Sequence, residues 1–337
     1  MSLTGSADEH RLYDAASAGI RPVLKRRQVL ALSGGGYRGL FTARLLEHME
    51  ARFGGRIRDH FELCVGTSAG ALIAAAVAQG IAAADIRAAF ERHGPAIFRR
   101  NWLTPVRRLF RAPYGVAGLN QTMDAVFGRD RAVLDTPLAQ LPLPLIVTAV
   151  GVRSHASTIL GGKGLGEGRH PRITLRQAVL ASAAAPTYFP ALRPADGEPL
   201  VDGGLIANAP ELVALAYGRK ALASGLEDLY VMGIGTAAPD PAQAAAGHPR
   251  RGGLRWLLSR RGLVQLTLGS QEDLSVRLAG LLAGDRYLRV DRPPAQAQAR
   301  VIGLDRTSPE AATVLRDLAD QCFAEFQPRA KFRAYFA

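Results

Sequence analysis

Cysteine is nearly absent from this 337-residue chain, which has only Cys64 and Cys322. Two thiols cannot build the dense disulfide framework of a small secreted domain, and neither lies at a metal-ligand spacing. Lysine is scarce as well. Of 42 basic residues only Lys25, Lys163, Lys220 and Lys331 are lysine, which leaves 38 arginines. No secretory leader is read at the start, because Asp8 and Glu9 arrive before any apolar run has formed. A reducing, cytoplasmic setting is the expectation. Long hydrophobic runs are also missing. The longest uncharged stretch, Val65 to Ala84, has the length of a membrane span. However, Gly66, Gly70, Gln79 and Gly80 interrupt it, and the rest is mostly alanine, whose transfer into lipid is weakly favourable at best. It reads as a buried helix of a soluble protein.

An apolar content of 48% is enough to fill a substantial core, so disorder is excluded as the main state. Only 29 acidic residues oppose the 42 basic ones, giving a net charge of +13. The arginine bias favours partners that carry phosphate, since the guanidinium fork meets phosphate oxygens bidentately and stays charged when partly buried. Nucleic acid, a nucleotide ligand and an anionic lipid surface are the candidate partners.

Val29 to Leu32 is a short apolar run of the kind found in a strand covered on both faces, and it leads directly into SGGGYRG. Phe41, Leu45, Met49 and Phe53, with Leu46 beside them, then recur on one face of a helix. Phe61, Leu63 and Val65 form a second strand that breaks at GTSAG and gives way to the alanine-rich helix. This alternation predicts an α/β layer fold with a mainly parallel sheet. Further strands are expected at 145–150, 200–201 and 229–234. A helix is expected over 174–185, with Thr174 and Gln177 as a capping box and Pro186 as its stop. A last helix starts at Ser308 with Pro309 in the first helical position and Val314, Leu315, Leu318 and Cys322 on one face. The Ala/Pro/Gly-rich stretch 237–253 reads as a mobile loop.

GTSAG, residues 66–70, is the sharpest chemical feature. A serine hydroxyl attacks only when it is exposed, close to a base and beside donors that stabilise a tetrahedral oxyanion. A tight strand-to-helix turn lifts Ser68 clear of the sheet between the small residues Gly66 and Gly70. GGGYRG, residues 34–39, fits Gly-Xaa-Gly-Xaa-Xaa-Gly between a strand and a helix and so suggests a dinucleotide site. That use needs an acidic residue at the end of the second strand, where this chain delivers Ser68 instead. The other use is an oxyanion hole, in which bare glycine N–H groups at a helix start face developing negative charge and Arg38 stands near. The bland alternatives are a tight turn for the loop and a structural salt bridge for Arg38.

Asp202 in LVDGG is the candidate base, with Gly203 and Gly204 allowing close backbone approach. Parallel strands place their C-terminal ends on one edge of a sheet, so Asp202 and Ser68 are expected to meet there. A carboxylate touching Ser68 accepts its proton without an imidazole and later activates water. None of the seven histidines has a comparable setting. His155 and His170 flank a glycine-rich stretch, and His248 leaves open a Ser68, Asp202, His248 triad; solvated surface positions are the plainer reading for all three.

GGGYRG, then GTSAG about thirty residues on, then DGG far downstream resembles the ordered signature of the patatin-like phospholipases. ASAAAPTYFP at 181–190 resembles the segment that the family carries before its aspartate, and the likeness spans residues 28–236. The resemblance implies a three-layer fold, a Ser68–Asp202 dyad, an oxyanion hole from Gly34, Gly35 and Gly36 with Arg38, Gly39, Gly66, Gly70, Gly203 and Gly204 in support, and hydrolysis of lipid acyl esters without metal or other cofactor. The chain departs from many members at Ser33, where they have Asp, and at Asn208-Ala209-Pro210, where they have Asn-Asn-Pro. A narrower likeness, in residues 29–50 and 95–115, is to the phospholipase effectors of bacterial cyclic-oligonucleotide antiphage signalling. It implies activation by a cyclic dinucleotide, action on the inner membrane as a peripheral enzyme, and self-association on activation.

Residues 99–111 hold five arginines, Arg99, Arg100, Arg107, Arg108 and Arg111, and no acid, with Trp102, Leu103, Leu109 and Phe110 among them. Residues 248–261 hold five more with Trp256, Leu257 and Leu258. Such segments suit a lipid interface or a dinucleotide pocket, and equally a solvated helix surface. Neither contains a nucleic-acid reader motif, which demotes nucleic acid as a partner. The expected organisation is an N-terminal extension over 1–27, a catalytic domain over 28–236 with a basic insertion near 95–118, and a helical completion of that domain over 237–337.

Overall fold

The computed structural model describes residues 26–99, 114–162, 170, 172–195, 197–239 and 260–337. The chain alternates strand and helix: β1 (Arg27–Leu32), α1 (Gly39–Phe53), β2 (Leu63–Gly66), α2 (Ala69–Ala78), α3 (Ala83–Ile97), α4 (Ala117–Phe127), β3 (Leu145–Gly151), β4 (Ser157–Gly161), α5 (Leu175–Ser182) and β5 (Leu200–Asp202). There follow α6 (Gly204–Ala207), α7 (Glu211–Ala221), β6 (Leu229–Ile234), α8 (Arg260–Ala283), β7 (Tyr287–Val290), α9 (Gln296–Ala299), α10 (Pro309–Phe326) and α11 (Ala330–Arg333). Six strands run in the order β4-β3-β2-β1-β6-β7, and β5 joins β3 separately. Neighbours from β3 through β7 are parallel, and β4 and β5 both run antiparallel to β3.

The alternation of β1 divides the core into two. Leu30 and Leu32 face one layer with α1, α2 and α10, and Val29 and Ala31 face the other with α7 and α8. Successive side chains of a strand point to opposite faces, so a run that is apolar at every position marks a strand buried on both sides. α2 lies wholly inside: Ala71 through Ala78 are buried, which explains why an alanine-rich segment replaces the usual amphipathic pattern. Toward the C-terminus, Leu315, Leu318, Cys322, Phe326, Phe332 and Tyr335 enter the same core as α1.

The caps follow the sequence. Thr174 accepts from the Gln177 N–H at 3.3 Å while the Gln177 side chain accepts from the Thr174 N–H at 3.1 Å, and Ser308 accepts from the Ala311 N–H at 3.1 Å. α5 ends at Ser182, earlier than Pro186 requires, because the Ala183–Pro190 segment turns back to supply the wall of a cleft.

β5 departs from the expected topology. The outer edge of β3 is occupied by β4 along Ile146–Val150, so β2 and β5 share the inner edge, β2 against Leu145–Val147 and β5 against Ala149–Gly151. β5 is antiparallel, so its C-terminal residue Asp202 approaches the C-terminal end of β2 head on. Two strands pointing at each other along one neighbour bring their tips together more directly than side-by-side parallel strands would.

Candidate active site

The tips of four parallel strands lie level: Leu32 pairs with Gly66 and Ile234, and Ile234 pairs with Val290. The glycine loop leaves from the first of these tips and the GTSAG turn from the second. Ser68 has φ 54° and ψ −123°, a conformation that a side chain adopts only under constraint. Its neighbours supply the constraint. The Ser68 N–H donates to Ser182 Oγ at 2.8 Å, and Thr67 Oγ1 donates to the Ala207 carbonyl at 2.6 Å while lying 2.7 Å from Thr148 Oγ1. Gly66 and Gly70 are required by close packing, since a Cβ on Gly66 would strike the Gly70 carbonyl and one on Gly70 the Leu32 carbonyl.

Ser68 Oγ donates to Asp202 Oδ2 at 2.8 Å, with no imidazole between them. The second oxygen, Oδ1, accepts from the Gly204 N–H at 2.7 Å, and the Asp202 N–H donates to the Ala184 carbonyl at 3.1 Å. Burial pushes the Asp202 carboxyl up to about 7, against the opposing pull of the Gly204 N–H and the Ser68 hydroxyl. Gly203 packs on Thr148.

In the glycine loop the three glycines differ. The Gly34 N–H donates to the Asn208 carbonyl at 2.8 Å, whereas the Gly35 and Gly36 N–H groups have no acceptor among the described residues. Gly36 has φ +55°, and its α-carbon faces the Leu304 carbonyl. Gly39 starts α1 against Phe90 and Ala69. Arg38 is buried at 8% exposure, and burial lowers its pKa while Glu272 and Asp291 oppose that. It makes no ion pair within 4 Å among the described residues, and it does not line the cleft.

A cleft with a volume of about 80 Å³ opens above this constellation, with Gly35, Gly36, Ser68, Asp202 and Asn208 as its polar part. Leu72, Phe90, Ile97, Phe98, Leu119, Tyr188, Phe189 and Leu268 make up most of the rest. Phe98 and Tyr114, which bracket the basic stretch, stack edge to face at 5.6 Å, and Tyr114 packs on Phe189 at 5.7 Å. The described residues on either side of the arginine-rich stretch, Phe98 and Tyr114, therefore pack together with Phe189 at the cleft wall.

Beneath the loop lies a buried ion cluster that the sequence did not reveal. Arg289 bonds Ser33 Oγ at 2.8 Å, Glu272 at 2.6 Å and Asp291 at 3.0 Å, and also Glu211, which is fully buried. Burial alone would lower the Arg289 pKa, but Glu211, Asp291 and Glu272 together raise it well above its ordinary value. Glu272 also accepts from Asn208 Nδ2 at 2.8 Å, tying the cluster to the residue that holds Gly34. Ser33, which stands where many relatives carry Asp, is thus a partner of Arg289.

Of the other sequence candidates, Arg99 is exposed just after α3. Arg100, Trp102, Arg107, Arg108, Arg111 and His248 lie outside the described residues, as do residues 1–25 and most of 237–253 and 248–261. His155 is exposed, as expected, whereas His170 is buried. Among the described residues no cluster of His, Cys, Asp and Glu is arranged to hold a metal, and no helix is long and apolar enough to cross a membrane.

Comparison with known proteins defines the class. The family model for patatin-like phospholipase matches residues 30–215, and the chain belongs to that family, whose members are carboxylic ester hydrolases. The chain is similar to a cGAMP-activated phospholipase of Pseudomonas aeruginosa, 33% identical over 92% of both chains. It is likewise similar to a cGAMP-activated phospholipase of Escherichia coli, 28% identical over 91% of this chain and 92% of that one. A cUMP-AMP-activated phospholipase, also from Escherichia coli, is 29% identical over 64% of this chain and 66% of the other.

Proposed function

We propose that the protein hydrolyses phospholipid acyl esters with Ser68 as nucleophile and Asp202 as its only base, under the control of a cyclic dinucleotide. The observation that carries the reading is the direct 2.8 Å bond from Ser68 Oγ to Asp202 Oδ2 at the polar end of an apolar cleft. In the first step Asp202 takes the hydroxyl proton while Oγ attacks the ester carbonyl carbon. The oxyanion faces the Gly35 and Gly36 N–H groups and the start of α2, whose dipole is positive at that end. Gly34 serves by fixing the loop on Asn208. Protonated Asp202 gives its proton to the leaving lysophospholipid oxygen. The carboxylate then deprotonates a water that attacks the acyl-serine, and the fatty acid leaves as Ser68 recovers its proton.

The acyl chain fits the wall formed by Leu72, Phe90, Leu119 and Phe189. The arginine-rich sequence 99–111 suits lipid phosphates at a membrane surface, where the enzyme acts as a peripheral protein. We further infer that residues 28–236 form the catalytic domain, that the C-terminal helices complete it, and that the biological setting is antiphage defence of the kind its narrower sequence resemblance implies. The test is fatty-acid release from phosphatidylglycerol and phosphatidylethanolamine vesicles with and without cGAMP. Wild type should release fatty acid in a nucleotide-dependent way and Ser68→Ala should not. Undiminished release by Ser68→Ala would refute the assignment, and full wild-type activity without nucleotide would refute the control.

A further inference from the structure

A second cavity lies on the outer side of α3 and α4, about 510 Å³ in volume and unlike the first in chemistry. Its lining is mostly polar, with Phe127 and Val126 buried behind it, and it carries Arg56, Arg92 and His93 together with Asp85 and Asp130. Arg92, Asp85 and Asp130 are exposed and make no ion pair with any described residue, so their charges are open to a ligand. The open Arg92 guanidinium and the His93 imidazole, with Arg56 already held by Glu50 at 3.4 Å beside them, match phosphate oxygens. The carboxylates match the amino and imino N–H groups of nucleobases.

α3 connects this cavity to the reaction. Its outer face supplies Asp85, Ala88, Ala89, Arg92 and His93 to the cavity, and its inner face supplies Phe90 and Ile97 to the acyl cleft. Gly39, the first residue of α1, is packed so that a Cβ there would meet both the Phe90 ring and Ala69, the first residue of α2. Gly94 lies so close to the Tyr37 ring that a Cβ there would come within 2.6 Å of Cε2, and Tyr37 follows Gly36 directly. Gly118 of α4 lies against Ile97 and the Ala96 carbonyl. A displacement of α3 therefore moves the Gly35–Gly36 donors and the cleft wall together.

We propose that this outer cavity receives the activating cyclic dinucleotide and that α3 carries its occupancy to the glycine loop through the Gly94–Tyr37 contact. The proposal rests on the reading of nucleotide control above. It is tested on the full chain by calorimetric titration with cGAMP and cUMP-AMP, by vesicle hydrolysis, and by basal hydrolysis of p-nitrophenyl butyrate without nucleotide. Arg92→Glu and His93→Ala should weaken nucleotide binding and raise the activating concentration by about tenfold or more, leaving basal ester hydrolysis unchanged. Gly94→Ala should bind nucleotide within about threefold of wild type yet lose most of the activation. If Arg92→Glu and His93→Ala are activated at the wild-type concentration, the site is wrong while nucleotide control stands. If Arg92→Glu loses binding to phosphatidylglycerol vesicles but not to nucleotide, the cavity takes lipid headgroups and the proposal fails. Wild type that neither binds nor responds to either nucleotide would overturn the regulatory reading and this site together.

Discussion

In the proposed mechanism Asp202 does two opposed things. As a buried carboxyl with a pKa of about 7, it is a weak enough acid to take a serine proton near neutral pH, and its ionisation costs stability. The unfolded chain ionises this group near its ordinary 3.8, so between about 4 and 7 the folded state binds the proton more tightly. Stability falls as pH rises through that window, and activity rises as the base is exposed. Asp202→Asn is expected to lose nearly all hydrolysis and, at pH 8, to gain thermal stability of at most roughly 4 kcal/mol. Thermal unfolding of both proteins at pH 5 and pH 8 checks this, since the gain should shrink toward pH 5. Wild-type ester hydrolysis measured across pH 5 to 9 should climb with a midpoint near 7. At this scale the sequence was informative where chemistry demands a motif: Ser68, Asp202 and the glycines stand in patterns. Ser182 and Thr148 escaped because a single hydrogen bond, to the Ser68 N–H and to the Thr67 hydroxyl respectively, leaves no spacing to read.

The elements divide along similar lines. β1, β2, β3 and β6 were legible as unbroken apolar runs, and α10 by its cap and its Leu315–Leu318–Cys322 face. β7 was not, because Arg289 interrupts the run Tyr287–Val290 to reach the acidic cluster. α8 was not, because leucines such as Leu274, Leu278 and Leu281 face solvent and blur its periodicity. The direction of β5 was misread for a different reason: three residues carry no signal of parallel or antiparallel pairing, which only the partner strand decides. Two substitutions test what these elements contribute. Arg289→Ala leaves Glu211 buried without its counterion and should cost about 3–5 kcal/mol, while Leu318→Ala opens a cavity between α10 and α1 and should cost about 2–5 kcal/mol. Chemical denaturation midpoints measure both.

For the whole molecule, the proposed function makes the arginine excess the means by which the enzyme meets its substrate. A net charge of +13 carried by guanidinium groups attracts an anionic surface within a Debye length and fades with salt. Sedimentation with phosphatidylglycerol vesicles should show binding that weakens steeply between about 50 and 300 mM salt, with neutral phosphatidylcholine vesicles bound poorly at either. Salt-insensitive binding would assign adhesion to apolar groups instead. The central claim, however, is chemical: one serine, activated by one carboxylate. It is tested most directly by exposing the protein to an alkyl fluorophosphonate and locating the adduct by intact mass and peptide mapping. The account predicts a single adduct on Ser68 in wild type and labelling slowed by about 100-fold or more in Asp202→Asn. An adduct on another residue, or equal labelling of the two proteins, would contradict it.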